Sequence, residues 1–85
     1  TDDDRTFNLK LAFARHLPPS GRVNLLERRR AHLVQRLSQA RANARARRDL
    51  LDGYTRSVLE HSRETTERDI SWLEQLIAAE KGSLT

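Results

Sequence analysis

Five residues punctuate this chain. Pro18, Pro19 and Gly21 sit together, Gly53 stands alone, and Gly82 lies close to the end. The stretches 22–52 and 54–81 contain neither glycine nor proline. Proline ends a helix by removing a backbone donor and crowding the preceding turn, and glycine weakens one through its backbone freedom. A chain with so few turn formers lacks the punctuation of an all-β fold. The spacing predicts an all-α chain of three helices, over 4–17, 19–47 and from the break at 49–53 to about 80.

Apolar periodicity supports each segment. In the first, Phe7, Leu9, Leu11 and Phe13 alternate as a strand would. Wound at about 100° per residue, they join Ala14 and Leu17 in an arc of roughly 200°. We read it as a helix packed on more than one side. In the second, Val23, Leu26, Leu33, Val34, Leu37, Ala40 and Ala44 form one narrow stripe, and the residues between them are good helix formers. Asp49 and Asp52 are the candidate N-caps for the third. There Leu51, Tyr54, Val58, Leu59, Ile70, Trp72, Leu73, Leu76 and Ile77 share an arc of about 160°. Residues 82–85 are expected to fray.

Two rods of about 40 Å joined by a short turn make an antiparallel hairpin. Hydrophobic residues are 36% of the 85, against about 45–50% in an average chain. One hairpin and one short helix cannot cover both stripes, so the expected architecture is a dimeric helix bundle, with a symmetric homodimer as the default. We treat 1–85 as a single helical dimerisation and effector domain. The apolar assembly is expected to use Phe7, Leu11, Leu26, Leu33, Leu37, Val58, Trp72, Leu73 and Leu76.

Several functions are excluded or disfavoured. With no cysteine, thiolate metal sites, disulfides and cysteine nucleophiles are ruled out. No apolar run approaches the length of a membrane span, and no signal peptide opens the chain. Because residue 1 is threonine, the chain is expected to be a piece of a longer protein. His16, His32 and His61 lack the spacing of metal ligands. No Ser-His-acid constellation can be assembled. We expect no enzyme, no cofactor, no metal and no membrane partner.

Charge is unevenly placed. Residues 22–48 hold nine arginines against Glu27 alone, whereas 49–85 carry a net −4. A groove-reading helix would show a continuous basic face. Here Arg28 lies on the back, Arg22, Arg29, Arg36 and Arg47 flank the apolar stripe, and Arg30 and Arg41 fall within it. A solvated, pairing surface is the favoured reading. Asp69 falls inside the apolar arc of the third helix, where an unpaired carboxylate is costly. With a turn at 48–50 it faces positions 28–30, so a register-fixing buried ion pair with Arg30, or failing that Arg29 or Arg28, is expected. Ser62 and Thr65, with Trp72, are the candidate lining of an effector pocket.

The order of these elements resembles a known family. An aromatic and leucine-rich opening, Phe7 to Phe13, leads to Leu17-Pro18-Pro19 and then Leu25-Leu26-Glu27-Arg28-Arg29. A long helix follows, and the chain closes with Asp69-Ile70-Ser71-Trp72-Leu73. Over residues 5–80 this resembles the C-terminal domain of PadR-family transcriptional regulators. It departs from that pattern at Asp69, where glutamate is usual, and at Ser71, where an acid is frequent. The resemblance implies a cytoplasmic regulator that binds operator DNA through an N-terminal winged helix-turn-helix domain absent from these residues. It also implies a C-terminal domain that forms a homodimer and senses a small-molecule effector. The alternative is a stand-alone helical adaptor, or a basic nucleic-acid-associated helical module.

Overall fold

A computed structural model describes residues 2–48 and 52–84, with side chains over 4–48 and 52–82. It is all-α. Helix α1 spans Asp2–Ala12, α2 spans Pro19–Ala46 and α3 spans Gly53–Leu84, with a 3₁₀ turn over Ala14–His16 between the first two. Helices α2 and α3 pack as an elongated antiparallel hairpin. The chain measures 49 × 25 × 15 Å, with a radius of gyration of 15.7 Å. A compact domain of this length would have a radius of gyration near ~12 Å.

The boundaries follow from local chemistry. Pro18 biases the residue before it away from helical backbone, and Leu17 is extended, with φ −92° and ψ 149°. The first α-helix therefore ends at Ala12, earlier than the expected 17, and the chain tightens into the 3₁₀ turn before the proline. Pro19 then takes the first turn of α2, where its missing N–H costs nothing. At the other end of the hairpin, the Thr55 backbone N–H donates to Asp52 Oδ1 at 2.7 Å, an N-cap on α3. Asp49, the other cap candidate, and Leu51 lie outside the described residues. The expected fraying from residue 82 is corrected: α3 continues through Gly82 to Leu84.

The core is small and lies at one end. Phe7 from α1, Leu26 and Leu33 from α2, and Ile70, Leu73 and Ile77 from α3 are buried together, with Leu11, Leu25, Leu37 and Leu76 packed against them. The seven-residue steps 26–33 and 70–77 bring successive side chains back to the same helix face. Of the nine expected apolar residues, seven belong to this assembly. Val58 and Trp72 do not, being 67% and 43% exposed. Helix α1 contributes one face only. Leu9 and Phe13 point away from the core at 61% and 57% exposure, so the expectation of packing on several sides is not met within one chain. Arg22 ties the junction, donating from Nε to the Ala14 carbonyl at 3.0 Å and from Nη1 to Glu80 Oε2 at 3.5 Å.

Candidate functional site

Two grooves carry most of the candidate residues. The first lies where α1 crosses the hairpin. It has a volume of about 270 Å³ and is lined by Asp4, Phe7, Asn8, Arg29, Leu33, Asp69, Trp72 and Leu73. Arg29 organises it. Its side chain is only 11% exposed, forms an ion pair with Asp4, and lies over the Phe7 ring at 5.0 Å from the centroid. A guanidinium held between a carboxylate and an aromatic face satisfies both its charge and its flat apolar surfaces. Asp4 also lies 3.7 Å from Arg36 Nη1. One carboxylate of α1 therefore faces two arginines a helical repeat apart on α2.

The expected Asp69–Arg30 pair is not formed. Arg30 Nη2 meets Glu74 Oε1 at 3.4 Å instead, and Asp69 is exposed. The reason is register. The connection lies between Ala46 and Gly53, and the ion pairs across the hairpin set the offset of one helix along the other. Glu67 faces Arg41 at 2.7 Å, and Glu74 faces Arg30. Asp69 follows Glu67 by two residues and precedes Glu74 by five, so it sits opposite a later part of α2 than Arg30. Arg29, the second candidate partner, takes Asp4 as its carboxylate.

The second groove lies between α2 and α3 on the turn side of the core. Its volume is about 280 Å³. Leu37, Ala40, Ala44 and Leu59 give it an apolar lining. Arg36, Arg41, Arg56 and Arg63 edge it with Glu60, and Ser62 and Thr66 complete it. Alanines on α2 leave room that larger side chains would fill. Thr66 Oγ1 donates to the Ser62 carbonyl at 3.0 Å, and Thr65 Oγ1 to the His61 carbonyl at 3.0 Å, so both hydroxyls are turned onto their own helix.

Charges beside this groove are coupled. Glu67 accepts from Arg63 Nη1 at 2.9 Å and from Arg41 Nη2 at 2.7 Å. The Arg63 hydrogen bond is the larger influence holding the Glu67 carboxyl below its ordinary range, with Arg41 adding to it. In return, hydrogen bonding and attraction to Glu67 raise the Arg63 guanidinium further above its ordinary value. Glu60 lies 3.4 Å from the same arginine.

The three residues expected to line one effector pocket are not brought together. Ser62 lines the groove on the turn side, Trp72 lines the groove at α1, and Thr65 lines neither. The Asp4–Arg29–Phe7 cluster was absent from the sequence reading. Its only signals were Arg29 flanking the α2 stripe and Phe7 in the α1 arc, and neither shows that the two helices meet there. Among the described residues, no group of three or more histidine, aspartate or glutamate side chains could hold a metal ion. No helix is long and apolar enough to cross a membrane, again among the described residues.

The fold is an all-α domain of a short helix and a long hairpin, with most of its described ion pairs at the surface. The model for the virulence activator alpha C-terminal domain matches residues 5–80, and the chain belongs to that family. No curated protein and no solved structure matches the chain.

Proposed function

We propose that this domain is the dimerisation and effector-sensing module of a PadR-like DNA-binding transcriptional regulator. The observation that carries the reading is apolar surface without a partner in the single chain. Tyr54, Val58 and Leu59 along α3 are 90%, 67% and 42% exposed, and Leu9 on α1 and Phe13 just after it are similarly open. Clusters of large exposed apolar side chains mark interaction surfaces. A second copy would cover them with two-fold symmetry. The family match to a virulence activator C-terminal domain and the order of motifs from Phe7 to Leu73 support the same reading.

The mechanism is geometric. A two-fold helix bundle fixes the separation of two DNA-reading heads, and operator half-site spacing follows from that separation. An effector that binds one dimer geometry better than another shifts the population competent for DNA. The site has no catalytic role in this reading.

Sedimentation equilibrium of the chain over a wide concentration range tests it, with Trp72→Ala alongside. A dimer weakened by the substitution supports the proposal. A folded monomer at every concentration removes the dimer and moves weight to an adaptor. The second reading, a nucleic-acid-associated module, has one observation in its favour. Arg45, Arg47 and Arg48 are all exposed at the end of α2. Phosphate binding by them would weaken steeply as salt rises.

A further inference from the structure

We infer that the groove on the turn side of the hairpin is a binding site for a free, single-chain acyl carboxylate of medium length. The inference deepens the effector-sensing half of the proposed function and needs only one chain.

Shape argues for a linear ligand. The groove runs along α2 from Arg36 to Ala44, eight residues or about 12 Å of helix. It lies between two helices and is partly open to solvent. Its volume of about 280 Å³ falls just below the usual range of ligand sites, about 300 to 1,000 Å³, which suits a small ligand. Ala40 and Ala44 keep it open, and Leu37 and Leu59 give it apolar walls. The threonine hydroxyl that reaches it, Thr66 Oγ1, is spent on the Ser62 carbonyl, so the interior offers little to a polar ligand body.

Charge argues for an anionic end. Four guanidinium groups edge the groove. Glu67 pairs with Arg41 and Arg63, Glu60 with Arg63, and Asp4 with Arg36. A guanidinium carries five N–H donors, so a paired arginine can still donate to a further carboxylate. Arginine forks suit carboxylate geometry. Glu67 already holds Arg41 and Arg63 in place, which prepares them to accept a second carboxylate. A cation of the same chain length would meet these arginines unfavourably.

The test is calorimetric titration of the whole chain with decanoate below its micelle concentration, with octanoate, decanol and decylammonium as comparison ligands. Saturable one-to-one binding is expected, tightening about two- to fourfold per added methylene and weaker for decanol. Decylammonium should not compete. Ala44→Leu, which fills the lining and keeps helix propensity, should weaken decanoate at least tenfold. Arg41→Gln should weaken decanoate more than decanol. Circular dichroism of each variant confirms that it is folded. Equal decanoate affinity in Ala44→Leu and wild type overturns the inference, as does equal binding of decylammonium, or no saturable binding at all. Sedimentation of the same samples separates this result from the proposed function. Decanoate binding to a monomer upholds the groove while removing the dimer. A dimer whose dissociation tracks Ala44→Leu, with no decanoate binding, assigns the groove to a second copy and overturns the inference alone.

Discussion

The two ends of the hairpin are built differently from the same kind of helix. At the α1 end three helices meet, and six apolar side chains are buried among them. Toward the turn only two helices remain, and every described side chain from 38 to 48 and from 52 to 66 is exposed or half-buried. The α1 end is held by packing, with Arg29 closed over Phe7. The turn end is held by a cap at Asp52 and by the Arg41–Glu67–Arg63 bridge. Two helices bury one narrow seam each, whereas a third helix turns the seam into an enclosed volume. Stability resides at one end, and surface free to bind resides at the other.

The largest expected effect breaks the packed end. Leu73 is 1% exposed and central to the core. Leu73→Ala should cost about 2–5 kcal/mol, against a total of roughly 4–13 kcal/mol for a chain of this length. Urea unfolding followed by circular dichroism should show a large fall in the midpoint or outright unfolding. A loss under about 1 kcal/mol would mean that the core does not hold the fold. The next effect concerns the ion pair beside it. Asp4→Asn removes the charge facing the nearly buried Arg29 guanidinium while keeping an amide oxygen, and should cost about 1–2 kcal/mol. A double-mutant cycle with Arg29→Met isolates the coupling, expected near ~1 kcal/mol because Asp4 is half exposed. Zero coupling would reduce the cluster to simple packing.

The sequence made one of these ends far more legible than the other. Helix count and type, the α2 limits and the Asp52 cap followed from glycine and proline placement and from side-chain chemistry that acts within a few residues. Phe7, Leu26, Leu33 and Leu73 followed from periodicity. Register did not. An offset of a few residues in how the helices pair slides one along the other, and the acid facing Arg30 changes from Asp69 to Glu74. Nothing local in the sequence sets that offset. The groove was also hidden. Ala40 and Ala44 read as members of an apolar stripe, and only the facing helix shows that their small size leaves space. Ser62 fell in the groove with Thr66, about one turn on, while Thr65 did not, because it lies about 100° around α3 from Thr66.

A smaller effect sharpens the comparison at the turn end. Val58 is 67% exposed, so in an isolated chain Val58→Ala should change stability by no more than about 0.5 kcal/mol. The measurement should be made at two protein concentrations. In a dimer that covers this face the cost grows with concentration, because the side chain is then buried in the folded assembly. A concentration-independent cost would mean that the face stays in water.

The smallest effect is electrostatic and concerns only the turn end. Asp52 is held below the ordinary carboxylate range, first by the Thr55 backbone N–H and then by the Thr55 hydroxyl. Glu67 is held down first by Arg63 and then by Arg41. A carboxylate with a depressed pKa in the folded state binds fewer protons there than when unfolded. It therefore contributes stability that is fully present above the ordinary carboxylate range and lost as pH falls through the folded value. Both groups are open to solvent, so the contribution is modest and, for the Glu67 bridge, reduced by salt. Thermal melts from neutral pH into the acid range should show a falling midpoint in the wild type. The fall should be shallower in the Asp52→Asn/Glu67→Gln double variant, which has neither carboxylate to protonate. Added salt should flatten the Glu67 part more than the Asp52 part, because a cap is a short hydrogen bond to the backbone and the bridge is charge on charge. If the double variant follows the wild-type acid limb, the acid sensitivity does not come from these two carboxylates of the turn end.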